Sequence, residues 1–309
     1  MSYWLENHIK HQRSGQTYVN YEGTVRRCII PHLGHVKVQK LTAAQVQKWQ
    51  TTLLDCGMGP RSVQLARINL GQALKVAVKL DLVPRNVVDS VDQPRYRTRE
   101  MSYWTAEEAQ KFIAVADQSI YGPVWLLALV TGLRKGELLG LAWSAIDWES
   151  KTLHIRQTVG THRGKVEFKG TKRPKSRRAI DLDDSILAVL RAHRLRQNEH
   201  RLALGSRWQD HDLVFPSSVE TPVNGDNCDK DFDRLVKLAG VKRIRIHDTR
   251  HSYATLAILG GSAVHVVSQS LGHADVSTTL RTYAHVLPQQ SRELAERMAA
   301  LLLKPPTAV

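Results

Sequence analysis

Apolar residues recur along this chain at two spacings, and the changes of spacing divide it. Over the first third the spacing is helical. Thr42 and Gln45 form the Thr-x-x-Gln of a capping box ahead of Val46, Trp49 and Leu53, which fall on one helix face. Past the turn Gly57–Pro60, Ala66, Leu70, Ala73 and Ala77 repeat that stripe until Pro84 ends it. Residues 84–100 have no period: they hold Pro84, Pro94 and a basic string of Arg95, Arg97 and Arg99. A helical domain over residues 1–88 and a basic linker over 89–103 are therefore expected.

A second capping box, Thr105-x-x-Glu108, opens a domain over 104–309 ahead of Ala109, Phe112 and Ile113, and a helix is expected through Leu126–Leu141. The period then falls to two in Leu153–Thr158, Val166–Phe168 and Ala179–Leu182, with Gly164 and Gly170 nearby, which predicts a small antiparallel sheet. Helical spacing returns from Asp183, with breaks at Gly205, Gly240, Gly260–Gly261, Gly272 and Pro288. After Pro288 a tail helix over 289–303 is expected, with Leu294, Met298 and Leu301 on one face and Glu293 paired with Arg297 on another. The predicted fold class is mainly α with a small antiparallel β-sheet: a helical N-terminal domain, then an α+β domain.

Charge adds a partner to this picture. Lys and Arg number 44 against 29 Asp and Glu, a net +15. Residues 1–98 carry 14 basic and 6 acidic side chains (+8), and the remaining two thirds carry 30 and 23 (+7). Per residue the first third is more than twice as positive, which points to a polyanion such as duplex DNA, since each phosphate neutralised releases counterions. The cysteines Cys28, Cys56 and Cys228 lie far apart, which speaks against a disulfide framework or a cysteine zinc site and fits a reducing compartment. The longest apolar run, Val124–Val130, is too short to cross a bilayer, and the opening residues do not read as a signal segment. A cytoplasmic protein is expected.

Four segments between 130 and 285 concentrate Arg, His, Lys and Tyr: Thr131–Leu141 around Arg134, Lys172–Arg178, His247–His251 around Arg250, and Leu271-Gly-His273 followed by Tyr283. Phosphoryl transfer without a metal needs such a set. Guanidinium forks stabilise the extra charge on the non-bridging oxygens, a nucleophile attacks phosphorus, and an acid protonates the departing oxygen. A tyrosine nucleophile keeps the energy of the broken bond as a phosphodiester, so rejoining needs no ATP.

At these residues the chain resembles the tyrosine recombinase family of phage-type integrases. Arg134 lies in the family's Thr-Gly-Leu-Arg-x-Gly-Glu-Leu pattern, His247 and Arg250 match its His-x-x-Arg box, Leu271–His273 its Leu-Gly-His box, and Tyr283 its nucleophile. Lys172 falls where the family has a hairpin lysine before a Ser-x-Arg-x-Ile strand, here Ser176–Ile180; Lys165, Lys169 and Lys175 are neighbouring candidates. In the first third, Tyr18, Pro31–Gly34, Leu41-Thr42 and Val83–Asn86 resemble the family's helical core-binding domain. Two departures stand out: Thr249 replaces the usual hydrophobic residue of the histidine box, and because residue 4 already opens a helix-like Trp4–Lys10, the arm-binding domain of many relatives is not expected within these residues, whether the family member is a simple one or that domain has been trimmed away.

The resemblance implies catalytic roles for Arg134, Lys172, His247, Arg250, His273 and Tyr283. Tyr283 would form a 3′-phosphotyrosyl link, Arg134 and Arg250 would clamp the phosphate with His273 as a further donor, Lys172 would protonate the 5′-oxygen, and His247 would take the tyrosine proton. It implies no cofactor and no metal. It also implies a two-domain clamp on double-stranded DNA attachment sites, a homo-tetramer passing through a four-way junction, and scope for a directionality factor and a DNA-bending protein. Three other readings remain at this point. A type IB topoisomerase would use the same chemistry, a DNA-binding regulator could keep the fold alone, and His247 with His251 has the i, i+4 spacing of a helical zinc site. Asp248 reads as a helix cap or an arginine's partner, and Glu137 as a helix ion pair with Arg134.

Overall fold

The computed structural model describes residues 1–96, 101–162, 165–170, 178–217, 221, 223–284, 298–299 and 302–303; of residues 161, 162, 165–167 and 169 it describes the backbone only. The chain divides into two compact units, Met1–Glu100 and Met101–Val309.

The first unit is helical. Helix α1 (residues 2–12) and helix α2 (residues 15–33) each widen to π spacing in the middle, at Leu5–Ile9 and Val25–Ile29. They pack with α3 (Ala43–Asp55) and α4 (Pro60–Lys79). The Thr42 hydroxyl accepts from Gln45 N while the Gln45 side chain accepts from Thr42 N, so the α3 start is the capping box the sequence predicts. Val46, Trp49, Leu53, Ala66, Leu70 and Ala73 face a core shared with Trp4, Val25 and Ile29. Trp49 Nε1 reaches the Cys28 carbonyl at 2.7 Å, which satisfies its donor inside that core. Arg67 of α4 donates to the carbonyls of Val88 and Val91 at 2.8 and 2.7 Å. Residues 88 and 91 are thus tied to α4, so this unit takes in the start of the expected linker.

The second unit is built on an aromatic centre of Trp104, Phe112, Trp125 and Phe232. Its helices are α5 (Ala106–Ala116), α6 (Gly122–Thr131) and α7 (Lys135–Leu139), then, after the strands, α8 (Asp184–Leu204), α9 (Gly225–Ala239), α10 (Ile246–Leu259), α11 (Val264–Leu271) and α12 (Val276–Tyr283). Strands β1 (Ile146–Asp147), β2 (Thr152–Ile155) and β5 (Arg178–Asp181) form one antiparallel sheet in the order β1-β2-β5. Strands β3 (Gln157–His162) and β4 (Lys165–Gly170) form a separate antiparallel hairpin, with Val159 opposite Phe168.

Two expectations change. The run Leu153–Thr158 is not one strand: it breaks at Arg156, and its halves join different sheets. The helix expected through Leu126–Leu141 also breaks. Gly132 takes the left-handed conformation (φ +63°), ending α6, and the chain restarts as α7 with Arg134 at the N-cap. A Cβ at Gly132 would overlap the Tyr253 ring, so α10 packs directly against this backbone. The apolar pattern on both sides hid the break; its effect is to place a half-buried Arg134 at the start of α7 instead of along a helix flank. Most of the expected tail helix lies outside the described residues. Of its residues, Met298, Ala299, Leu302 and Leu303 are helical and exposed.

Candidate active site

Helix α10 carries three of the relevant side chains on one face, because positions 247, 250 and 251 lie within one turn. Its start is fixed by a reciprocal cap: Asp248 accepts from Arg245 N, Nε and Nη2 at 2.9, 3.0 and 2.8 Å. Asp248 is therefore both cap and arginine partner. Arg250, 3% exposed, donates one Nη to the Gly132 carbonyl at 2.8 Å and the other to the Leu271 carbonyl at 2.5 Å. Those carbonyls close α6 and α11, where the helix dipole favours a cation. Burial pushes the Arg250 guanidinium down to about 9, with the Arg134 charge adding to the effect and Glu137 opposing it; the group remains a cation at neutral pH.

Arg134 is oriented by Glu137, which accepts from Arg134 N at 3.0 Å and Nη1 at 2.8 Å. Glu137 is more than a helix ion pair. The buried guanidinium of Arg178, from β5, donates to both of its oxygens at 3.2 and 2.9 Å, while Arg178 Nε holds the Ser270 carbonyl at 2.6 Å. Burial alone would raise the Glu137 carboxyl, but bonding to Arg178 and then Arg134 outweighs it and holds the group at about 2. Arg178 thus joins β5, α7 and α11 behind Arg134. The sequence reading gave it no role, although it is the arginine of the Ser-x-Arg-x-Ile strand.

His273 follows the left-handed Gly272 and bonds through Nδ1 to the buried Thr279 hydroxyl at 2.7 Å. Burial, then the charges of Arg250 and Arg134, push its imidazole down to about 4. His247 is exposed, and burial of its inner part with the Arg250 charge lowers it too. Tyr283 ends α12 with 1% of its surface exposed, packed among Ala254, Ile258, Val267 and Leu271. Burial raises its phenol to about 12, against a smaller pull from Arg250 in the other direction.

The imidazole bonded to Tyr283 is not that of His247. His251 Nδ1 lies 2.8 Å from Tyr283 Oη, and the His251 ring meets that of His247 edge-on at 5.4 Å between centroids. Burial, then the neighbouring His247 and Arg250, push His251 to about 4, so it is neutral at physiological pH. Sequence reasoning noticed His251 only for its zinc-like spacing from His247. Among the described residues no three His, Cys, Asp or Glu side chains gather as a metal site. Lys172, with the alternative Lys175, lies outside the described residues, between β4 and β5.

The Phage integrase family model matches residues 103–290, and the model of the phage integrase N-terminal SAM-like domain matches residues 1–54. The chain belongs to the phage integrase family; it is a tyrosine-type site-specific recombinase. It is 28% identical to a tyrosine recombinase XerC-like protein of Caldanaerobacter subterraneus subsp. tengcongensis, covering 98% of this chain and 82% of that one. It is 27% identical to the ICEBs1 integrase of Bacillus subtilis, covering 92% and 78%. In fold it is similar to the Tn1549 transposon integrase solved with a circular intermediate DNA (TM-score 0.80, 18% identity, 96% and 98% covered). It is also similar to the lambda integrase dimer bound to a core site (TM-score 0.66, 20% identity, 91% and 94% covered).

Proposed function

We propose that this enzyme cleaves duplex DNA at a specific site through a covalent 3′-phosphotyrosyl link to Tyr283 and rejoins it to a partner duplex. The observation that carries this reading is convergence. Arg134, Arg250, His273 and Tyr283 come from four separate segments, yet Arg250 bonds the carbonyls of Gly132 and Leu271, each two residues before Arg134 and His273, and Tyr283 packs on Leu271 and bonds His251 beside Arg250. Arg134 and Arg250 bind the non-bridging oxygens of the scissile phosphate, with His273 as a further donor, and His247 takes the phenolic proton. Lys172 protonates the departing 5′-oxygen. Because Tyr283 is covered and its phenol protonated, the end of α12 moves before attack.

The partners are double-stranded attachment sites and three further copies of the chain. Lambda integrase has been solved as a tetramer bound to a Holliday junction, which supports a four-way junction here. The basic N-terminal unit contributes backbone contacts to the DNA. No helix among the described residues is long and apolar enough to cross a membrane, and the enzyme works beside its DNA in the cytoplasm.

The test begins with a pool of nicked duplexes of randomised sequence, from which SDS-stable protein adducts are isolated and sequenced to define the site. Two distinguishable duplexes carrying that site are then mixed with the enzyme. Joined hybrid duplexes and a four-way intermediate are expected. Relaxation of a supercoiled plasmid bearing the site, with no exchange between duplexes, would mean a topoisomerase instead.

A further inference from the structure

We propose that Arg178 is a positioning residue for the phosphate clamp: through Glu137 it aims Arg134, and through the end of α11 it aims His273. The proposal rests on the reading of Arg134, Arg250 and His273 as donors to the scissile phosphate, and adds the group that sets two of them. Its basis is a pair of arginine brackets between the same two stretches of chain. Arg250 ties the Gly132 carbonyl to the Leu271 carbonyl. Arg178 ties Glu137 to the Ser270 carbonyl, the one immediately before. One bracket alone would leave α7 free to pivot about it. Two brackets, at adjacent carbonyls on one side and on either side of Arg134 on the other, fix the angle between Arg134 and His273.

The Arg178 side chain is 5% exposed and each of its three nitrogens donates within the protein, so its part is to hold the clamp, not to bind the phosphate. The planar fork spans both oxygens of Glu137 while Nε reaches Ser270, a geometry that an ammonium lacks. Ser270 lies in the last turn of α11, where a carbonyl without a partner in the helix favours a cation. Gly272 keeps the path open. It takes the left-handed conformation (φ +66°), and a Cβ there would lie 3.0 Å from Arg178 Nη1 and 3.2 Å from Cδ. The backbone leading into His273 therefore rests directly on the Arg178 side chain.

Charge gives Arg178 a second effect. Glu137 is one carboxylate shared by two guanidiniums, so the trio keeps one net positive charge. With Arg134 as its sole partner the pair would be neutral, and Arg134 would be held on the carboxylate against the pull of a phosphate. Because Arg178 bonds both oxygens, Arg134 keeps a fixed direction and the cluster keeps its attraction for the substrate. The base of the bracket is firm: Arg178 opens β5 opposite the buried Ile155 of β2, so it stands on the sheet.

The full-length protein tests this with Arg178→Lys, Arg178→Gln, Arg134→Ala and wild type. Each is given the nicked duplex selected from the randomised pool, and the same duplex with a methylphosphonate at the scissile position. Lysine keeps the charge beside Glu137 but cannot span both of its oxygens and Ser270 together; glutamine, the second variant should lysine not fold, donates to one oxygen only. The methyl group replaces a charged non-bridging oxygen, so the clamp has far less charge to stabilise in that substrate. Melting above the assay temperature and half-site affinity near wild type are expected of the Arg178 variants. Their single-turnover cleavage of the normal duplex should fall about 100-fold, the cost of misplacing a reacting group by about 1 Å. Relative to wild type on the same substrate, that loss should shrink at least about 10-fold on the methylphosphonate, as it should for Arg134→Ala. A folded Arg178 variant that cleaves the normal duplex like wild type, or is slowed equally on both substrates, would overturn the proposal. Unfolding of both variants would overturn it too, making Arg178 a part of the fold alone. If Arg134→Ala is also slowed equally on both substrates, the clamp itself is misread and the proposal falls with it.

Discussion

Replacing Glu137 by Gln removes the charge that binds two arginines, and the structure sets the size of the effect. The carboxylate is buried, held at about 2 against an ordinary 4.5, and accepts from Arg134 and from the buried Arg178. A carboxyl held that far down contributes about 3 kcal/mol of stability at neutral pH. That agrees with the roughly 3–5 kcal/mol lost when one partner of a buried pair is removed and the other is stranded. For a unit of this size the loss corresponds to a fall of roughly 10 °C in Tm. Because the folded carboxyl lies below its unfolded value, the contribution is complete above about pH 4.5 and disappears as pH falls toward 2. Melting curves of wild type and Glu137→Gln should therefore be far apart at pH 7 and converge in acid. The double variant Glu137→Leu with Arg178→Met should recover much of the stability, since a buried pair replaced by apolar groups of similar size is near neutral. It should not recover activity, because Arg134 still lacks its anchor; adduct formation should stay depressed, by up to about 100-fold for one misplaced oxyanion donor. A Tm change below about 3 °C, or a gap that does not narrow in acid, would refute the argument.

Other expectations follow from single features. Gly132→Ala forces a side chain into the Tyr253 ring at a positive φ and disturbs the carbonyl that holds Arg250, so it should destabilise by about 1–3 kcal/mol and slow cleavage; a melting transition and cleavage rate like wild type would contradict the packing described. The imidazoles of His193, His247, His251 and His273 are all held below their ordinary range by burial first, so the unfolded chain takes up protons before the folded one. Stability is then fully present above about pH 6.5 and should fall as pH is lowered toward 4, which a Tm-against-pH profile reads directly. The positive charge for the phosphate comes from Arg134 and Arg250, so cleavage should continue in excess EDTA; dependence on added magnesium would contradict that assignment.

The features legible in the sequence are those with short-range causes. The capping boxes at Thr42 and Thr105 join residues three apart, and both form as hydrogen bonds. Strand Arg178–Asp181 shows its period-two pattern directly. The break at Gly132 is harder to see, because apolar residues run through both sides and only packing against Tyr253 demands the turn. The site divides in the same way. Its arginines, histidines and tyrosine stand in recognisable local patterns, but their contacts do not. His251 meets Tyr283 across 32 positions, and Arg178 meets Glu137 across 41, separations no periodicity reports. Glu137 consequently read as a local helix pair, and the contact of His251 with Tyr283 went unseen.

The central claim is that Tyr283 becomes covalently joined to DNA, and peptide mapping of the trapped adduct tests it most directly. Wild-type protein is incubated with the selected nicked duplex, the SDS-stable complex is digested with protease and nuclease, and the modified peptide is sequenced by mass spectrometry. The account predicts one modified peptide, with a 3′-linked nucleotide on Tyr283, and no adduct from Tyr283→Phe despite unchanged DNA binding. A nucleotide on any other residue, or an adduct that persists in Tyr283→Phe, would contradict it.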